Sequence, residues 1–239
     1  MTTPPPGQAP QKGPVVAAMF DRIAPRYDRL NRLLSAGVDR AWRREAVREA
    51  MADAPARVLD VATGTADLAL MLKRARPQAD VVGVDFAEAM LAVGRTKVRR
   101  AGIELPLLYA DALALPFEDE CFDALTVAYG LRNFADVDAG LREMRRVLRP
   151  GGRVVVLEFP PPPANLAGRA LRWYGRTVMP TLGGWISGDR TAYAYLPAST
   201  EAFLAPDELT RALAAAGFDR VRHRLQSFGV SAVHVGVAA

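Results

Sequence analysis

The sequence predicts an α/β protein built on a doubly wound, mostly parallel seven-stranded sheet, with a helical segment before it and an antiparallel hairpin closing it. Short apolar runs of Val, Leu and Ala recur without polar alternation, as strands buried on both faces require. Between them lie stretches whose apolar residues fall three or four apart, the helical period. The two kinds of segment take turns along the chain, and that alternation winds a parallel sheet with helices on both faces.

Each element follows in order. Residues 1–14 hold five prolines and little apolar content, and read as a disordered tail. From Val15 to Met51 the pattern is helical, with Met19, Ile23, Leu30, Leu33 and Leu34 set between Arg and Asp; Pro25 and Gly37 are expected to break it. Pro55 leads into a first strand, ARVLDVAT, and DLALMLKRA is a helix. DVVGVDF is the second strand, and the helix AEAMLAVGRTKVRRAG stops at Gly102. LPLLYADAL and FDALTVAYG are the third and fourth strands. The helix DVDAGLREMRRVL puts Val137, Leu141, Met144 and Leu148 on one face, and PGG turns the chain into the fifth strand, RVVVLEF. After PPPP, the stretch to about residue 204 is rich in Trp, Tyr, Gly and Arg and reads as an irregular insertion over the sheet edge. APDELTRALAAAGF is the last helix, and RVRHRLQSFGVSAVHVGVA the closing hairpin.

Composition excludes several classes. Half of the 239 residues are hydrophobic, enough for a large core. Net charge is +5, and nearly all of the 31 basic residues are arginine. Such a balance suits an anionic membrane surface or nucleic acid, but without a long basic run it equally describes a solvated surface. The single cysteine, Cys121, excludes an internal disulfide and a multi-cysteine metal site; at a strand start it is not expected to be a catalytic thiol. His223 and His234 are too few for zinc, so no metal site is expected. The N-terminus lacks the apolar core of a signal peptide, and no apolar stretch reaches the ~20 residues of a spanning helix. A soluble, cytoplasmic protein is expected.

The chemistry gathers at strand ends. The first strand runs out in DVATGTAD, Asp60 to Asp67, and in a doubly wound sheet ligands bind outside the carboxyl ends of the strands. Gly64 removes a Cβ from the turn, so the backbone can approach a ligand, with Thr65 and Asp67 beside it. Asp85 ends the second strand, where a ribose diol would donate to it. Asp111 and Ala112 follow the third, placed for an adenine ring. A dinucleotide fingerprint needs glycines that Gly64-Thr65-Ala66-Asp67-Leu68-Ala69 lacks, and Asp67 would repel a phosphate. S-adenosylmethionine carries no phosphate but a cationic sulfonium and an ammonium, so the acidic turn favours it.

On these stretches the chain resembles the class I S-adenosylmethionine-dependent methyltransferases, which have a Rossmann-like sheet, and more closely the C-methyltransferases of menaquinone and ubiquinone biosynthesis. The likeness rests on MFDRIAPRYDRLNRLLSAG, VLDVATGTAD, DALALPFEDECFDALTVAYGLRNFAD, VLRPGGRVVVLEF, VMPTLGGWISGDRTAYAYLPAST and AGFDRV, from about residue 18 to the C-terminus. It implies one domain over 15–239: N-terminal helices (15–54), a cofactor-binding core (55–159), a substrate-side insertion (160–204), then the last helix and hairpin (205–239). It implies cofactor contacts from Thr65, Asp85, Asp111, Ala112 and position 128, a serine in some relatives and Ala128 here, beside Gly64 and Asp60. Ala66 stands where the family commonly has glycine, and the ending HVGVAA lacks the aromatic or basic finish of many relatives.

The implied reaction moves a methyl group to a ring carbon of a polyprenyl quinol, with demethylmenaquinol the expected substrate. Alternatives are the ubiquinone benzoquinol precursor or another phenol or sterol, and, from a different class, an RNA-binding protein, which the scattered basic residues disfavour. Carbon becomes nucleophilic when the neighbouring phenol loses its proton. Arg132, in TVAYGLRNF, is then expected to hold the phenolate, Asn133 to orient an oxygen or water, and Tyr27 to close the site and relay a proton; otherwise Arg132 pairs at the surface with Asp136 or Asp138. The quinol tail lives in a bilayer, so Leu166–Leu182, with Trp173, Tyr174, Val178 and Met179 among Arg169, Arg172 and Arg176, is either a peripheral contact with the inner face of the cell membrane or core packing. No nucleic-acid partner is expected, and a homodimer stays open.

Overall fold

A computed structural model describes residues 12–179, 181 and 190–239. Most of the tail expected to be disordered lies outside them, but the chain is already helical at Lys12. Helix α1 then runs Lys12–Leu34 and is followed by α2, Asp39–Ala50. Pro25 does not break α1, contrary to the sequence expectation. A proline inside a helix costs about 3 kcal/mol, and burial of Met19, Ile23 and Leu30 on the facing side offsets it. Gly37, at φ +78°, does separate the two helices.

The central run is β1 (Arg57–Val61), α3 (Asp67–Ala75), β2 (Asp80–Asp85), α4 (Glu88–Ala101), β3 (Leu107–Tyr109), β4 (Phe122–Ala128), α5 (Val137–Val147) and β5 (Leu148–Glu158). The third strand is shorter than expected, because Asp111 accepts from the Leu113 amide and bends the chain out of the sheet. The PGG expected as a turn before β5 lies inside the strand as an irregularity, with Gly151 at φ +79° and a register shift between the β4 residues Phe122 and Ala124. The 160–204 stretch is also more regular than expected. Among the described residues it forms α6 (Leu166–Trp173), a π-helical turn (Tyr174–Val178) and α7 (Arg190–Glu201). Asn165 caps α6 by accepting from the Gly168 amide at 2.9 Å. Then come α8 (Pro206–Ala215), β6 (Phe218–Gln226) and β7 (Ser231–Ala238).

The seven strands lie in the order β3-β2-β1-β4-β5-β7-β6. β1 to β5 are mutually parallel, and β7 is antiparallel to both β5 and β6. Successive β1 residues feed opposite layers, Val58 one and Leu59 and Val61 the other. The order reverses between β1 and β4, so their carboxyl ends form the crevice where such sheets bind ligands.

Candidate active site

The turn after β1 is held from both sides. Gly64 sits at φ +56°, and its amide donates to Asp85 Oδ2 at 2.7 Å. The Ala87 amide donates to Asp85 Oδ1 at 2.9 Å, so the β2 carboxylate organises the glycine turn and the start of α4. Burial raises the Asp85 pKa to about 6 against these donors. Asp60 is buried beneath the turn, accepting from Thr63 Oγ1 at 2.7 Å and, across the β1–β4 register, from Thr126 Oγ1 at 2.6 Å. Burial lifts its pKa to about 6 as well.

Thr65 faces α1, donating to Asp28 Oδ1 at 2.6 Å. Lys97 Nζ bonds Asp28 Oδ2 at 2.8 Å and also meets Asp67, so the charge of Asp67 is paired. Asp21 accepts from the Ala89 amide at 2.9 Å, so α1 is fastened over the turn at two points. Asp111 stands exposed beyond β3, Ala112 is half-buried beside it, and Ala128 is half-buried at the end of β4. The structure thus brings Gly64, Asp60 and Asp85 together by direct bonds or register, with Ala128, Asp111 and Ala112 on neighbouring strand ends and Thr65 turned under α1. A turn opened by glycine between two buried carboxylates suits a cationic sulfonium better than a phosphate.

The chain reverses after β4 by a route the sequence did not suggest. Gly130 has an ordinary φ of −105°, and the left-handed residue is Tyr129 at φ +59°. Gly130 is required for space, since a Cβ there would lie 2.4 Å from that of Ala62 just after β1. A 3-10 turn, Leu131–Asn133, then carries Arg132 and Asn133 back into the protein.

Arg132 pairs with neither Asp136 nor Asp138, and it is not at the surface. It is 6% exposed and its Nη1 bonds Glu158 Oε1 at 2.5 Å and the Tyr129 carbonyl at 2.7 Å. Glu158, 1% exposed at the end of β5, also accepts from the Arg132 and Phe159 amides at 3.3 and 2.8 Å. Asn133 donates to the Tyr129 carbonyl at 3.3 Å, and its oxygen accepts from the Tyr195 hydroxyl at 3.0 Å.

Beside these groups lies a cavity of about 390 Å³, walled by α1, α2, the strand ends, α6 and α7. Its lining is mainly apolar, including Met19, Ile23, Trp42, Phe159 and Leu171, with Tyr27, Asp39, Arg43, Tyr129 and Arg132 as polar points. Arg132 and Tyr27 therefore line it, whereas Asn133 stands behind them. Burial raises the Tyr27 pKa against the pull of Arg43, which keeps its phenol protonated. The Tyr129 and Phe159 rings stack at 4.4 Å, with Arg43 5.2 Å from the first ring centre and Arg132 5.7 Å from the second.

Sequence reasoning missed Glu158, Asp39, Arg43 and Tyr129. Glu158 was readable, because LEF ends an apolar strand in a carboxylate just as Asp60 and Asp85 do. Asp39 and Arg43 carried only an i, i+4 spacing around Trp42, which also describes an exposed helix face.

Known proteins share this architecture. A demethylmenaquinone methyltransferase of Thermus thermophilus is 60% identical over 218 residues, covering 91% of this chain and 99% of that one. One from Deinococcus radiodurans is 51% identical over 233 residues, covering 98% and 96%. Among solved structures, an S-adenosylmethionine-dependent methyltransferase of Thermotoga maritima, described as a possible histamine N-methyltransferase, superposes with a TM-score of 0.65 at 19% identity, covering 93% of this chain and 99% of that one. At that identity the likeness speaks to the fold alone. The model of the ubiE/COQ5 methyltransferase family matches residues 8–238, and the chain belongs to that family.

Proposed function

We propose that the protein transfers a methyl group from S-adenosylmethionine to a ring carbon of demethylmenaquinol. The observation that carries this reading is the apolar cavity of about 390 Å³ bordered by Arg43, Arg132 and a protonated Tyr27. Its volume and lining suit a flat bicyclic quinol. The two relatives named above bear the same activity in their names.

S-adenosylmethionine supplies an electrophilic methyl carbon on a cationic sulfur. Gly64, Asp85, Asp111, Ala112 and Ala128 would hold it, with Asp60 supporting the turn from beneath and Thr65 tying it to α1. Around the acceptor, Arg132 offers N–H donors to a ring oxygen while Glu158 fixes its orientation. Asn133 holds the Tyr129 carbonyl and Tyr195 in place, and Tyr27 relays a proton above the ring. The apolar walls exclude water, which strengthens each of these interactions.

The tail of the substrate directs attention to one face. Leu166, Trp173 and Phe228 are 79%, 63% and 96% exposed there, and residues 160–188 hold three arginines and neither Asp nor Glu. A groove between Trp173 and Phe228 shares Leu171, Tyr174, Ser227 and Val230 with the cavity. This favours a peripheral, transient contact with a lipid surface through which the tail reaches the site. Among the described residues no helix is long and apolar enough to cross a membrane.

The test is turnover of tail-less and long-tailed demethylmenaquinol against the benzoquinol precursor of ubiquinone. A kcat/KM at least about tenfold higher for the naphthoquinol is expected. Preference for the benzoquinol would reassign the substrate, and no turnover of either would end the reading.

A further inference from the structure

We infer that Asp39 and Arg43, one turn apart on α2, are the proton-accepting and charge-holding pair for the phenolic ring. This deepens the function proposed above and rests on it. Both residues line the cavity and both are at least nine-tenths buried, at 9% and 8% exposure.

Their hydrogen bonding is incomplete, unlike that of Arg132. Arg43 Nε has no hydrogen-bond partner among the described residues, and the carboxylate beside it, Asp39 Oδ2, lies at 3.6 Å. Asp39 Oδ1 accepts from Ser35 at 2.9 Å, while Oδ2 takes no hydrogen bond among the described residues. A buried guanidinium edge and a carboxylate oxygen, both unmet among the described residues beside one apolar cavity, are costly unless a ligand completes them. Arg132 is committed to Glu158, which cancels much of its charge locally. Arg43 has the looser carboxylate contact, Asp39 at 3.6 Å, and otherwise packs over the Tyr129 ring, so it is the cation better able to bear a new anion.

A phenol is the ligand chemistry that completes both partners. Its O–H donates to Asp39 Oδ2, and its oxygen accepts from the Arg43 guanidinium. The proton passes to the Asp39 carboxylate, leaving a phenolate held by Arg43. The ring carbon then bonds to the methyl carbon as the sulfur keeps the electron pair of the breaking bond. Loss of the ring proton and return of a proton to the oxygen restore the quinol, with one proton released overall.

The test reads ionisation as well as turnover, using 1-naphthol as a single-hydroxyl probe whose absorbance reports its bound pKa. Arg43→Gln is expected to raise the bound pKa by about one unit or more, and Asp39→Asn to lower it, because opposite charges beside one oxygen act oppositely. Turnover of tail-less demethylmenaquinol is expected to fall about 100-fold in each variant, the effect of losing a base or an oxyanion donor. The Asp39→Asn deficit should shrink at high pH, where the phenol ionises unaided. S-adenosylmethionine affinity within about threefold of wild type shows an intact fold. Should Arg43→Gln not fold, Asp39→Asn alone decides by the downward shift. Bound pKa values unmoved in either folded variant, or moved in the same direction, would overturn the inference. Failure of the wild type to methylate the quinol would instead sink the proposed function, while the naphthol titration would still report on the pair.

Discussion

Glu158→Gln isolates the ion pair that sets Arg132 in the cavity wall. The carboxylate is 1% exposed and meets Arg132 through Nη1 at 2.5 Å and through the Arg132 amide at 3.3 Å. Glutamine keeps the volume but loses the charge, so a guanidinium only 6% exposed loses the charge of Glu158 beside it. Breaking one side of such a pair costs about 3–5 kcal/mol, and the Tyr129 carbonyl, still in place at 2.7 Å, puts the expectation at the lower end. Urea unfolding measures the loss directly. Adding Arg132→Met should then restore part of it, because a buried pair replaced by apolar groups is often neutral. A Glu158→Gln protein within about 1 kcal/mol of wild type, or a double variant as unstable as the sum of the two singles, would refute the pairing.

Other consequences follow from the same geometry. Asp60 has a folded pKa of about 6, above its unfolded value, so the folded state binds the extra proton and stability falls as pH rises through that window. Asp60→Asn should therefore gain on wild type by up to about 3 kcal/mol between about pH 4 and pH 7, read from urea midpoints at each pH; a constant difference would contradict the burial argument. Gly130→Ala forces a Cβ to 2.4 Å from Ala62 between β1 and β4, so a loss of about 1–3 kcal/mol and a Tm lower by a few degrees are expected by calorimetry. Phe228→Asp with Trp173→Ser should abolish flotation with anionic phospholipid vesicles and lower turnover of long-tailed quinol in them, while tail-less quinol is turned over as before. Unchanged flotation would remove this face from the membrane contact.

Much of the fold was legible because its signals are local. Helix α3 spans the residues its apolar spacing indicated, and the strands ended within a few residues of their apolar runs. The failures came where tertiary contacts decided. Pro25 stays in a helix because the opposite face is packed, and the described residues after β5 become helical from the Asn165 cap onward, which composition hid. Within the site, the acidic strand ends were visible as Asp60 and Asp85, but their bonds to Thr126 and Gly64 depend on strand register and loop closure. Arg132 was visible but its pairing was not, since Glu158 lies 26 residues on and meets it through the β4–β5 pairing. Gly130 is a spacer that the Ala62 Cβ requires, with the left-handed turn falling on Tyr129, and neither depends on local sequence alone.

The central claim is methyl transfer to quinol carbon, and one measurement tests it most directly. The protein is incubated with S-adenosylmethionine labelled with carbon-13 at the methyl group, together with demethylmenaquinol and, in a second vessel, RNA. The label is expected on a quinol ring carbon, seen as an aryl methyl signal, with none on the quinol oxygens or the RNA. Label appearing only on oxygen or only on RNA would contradict it.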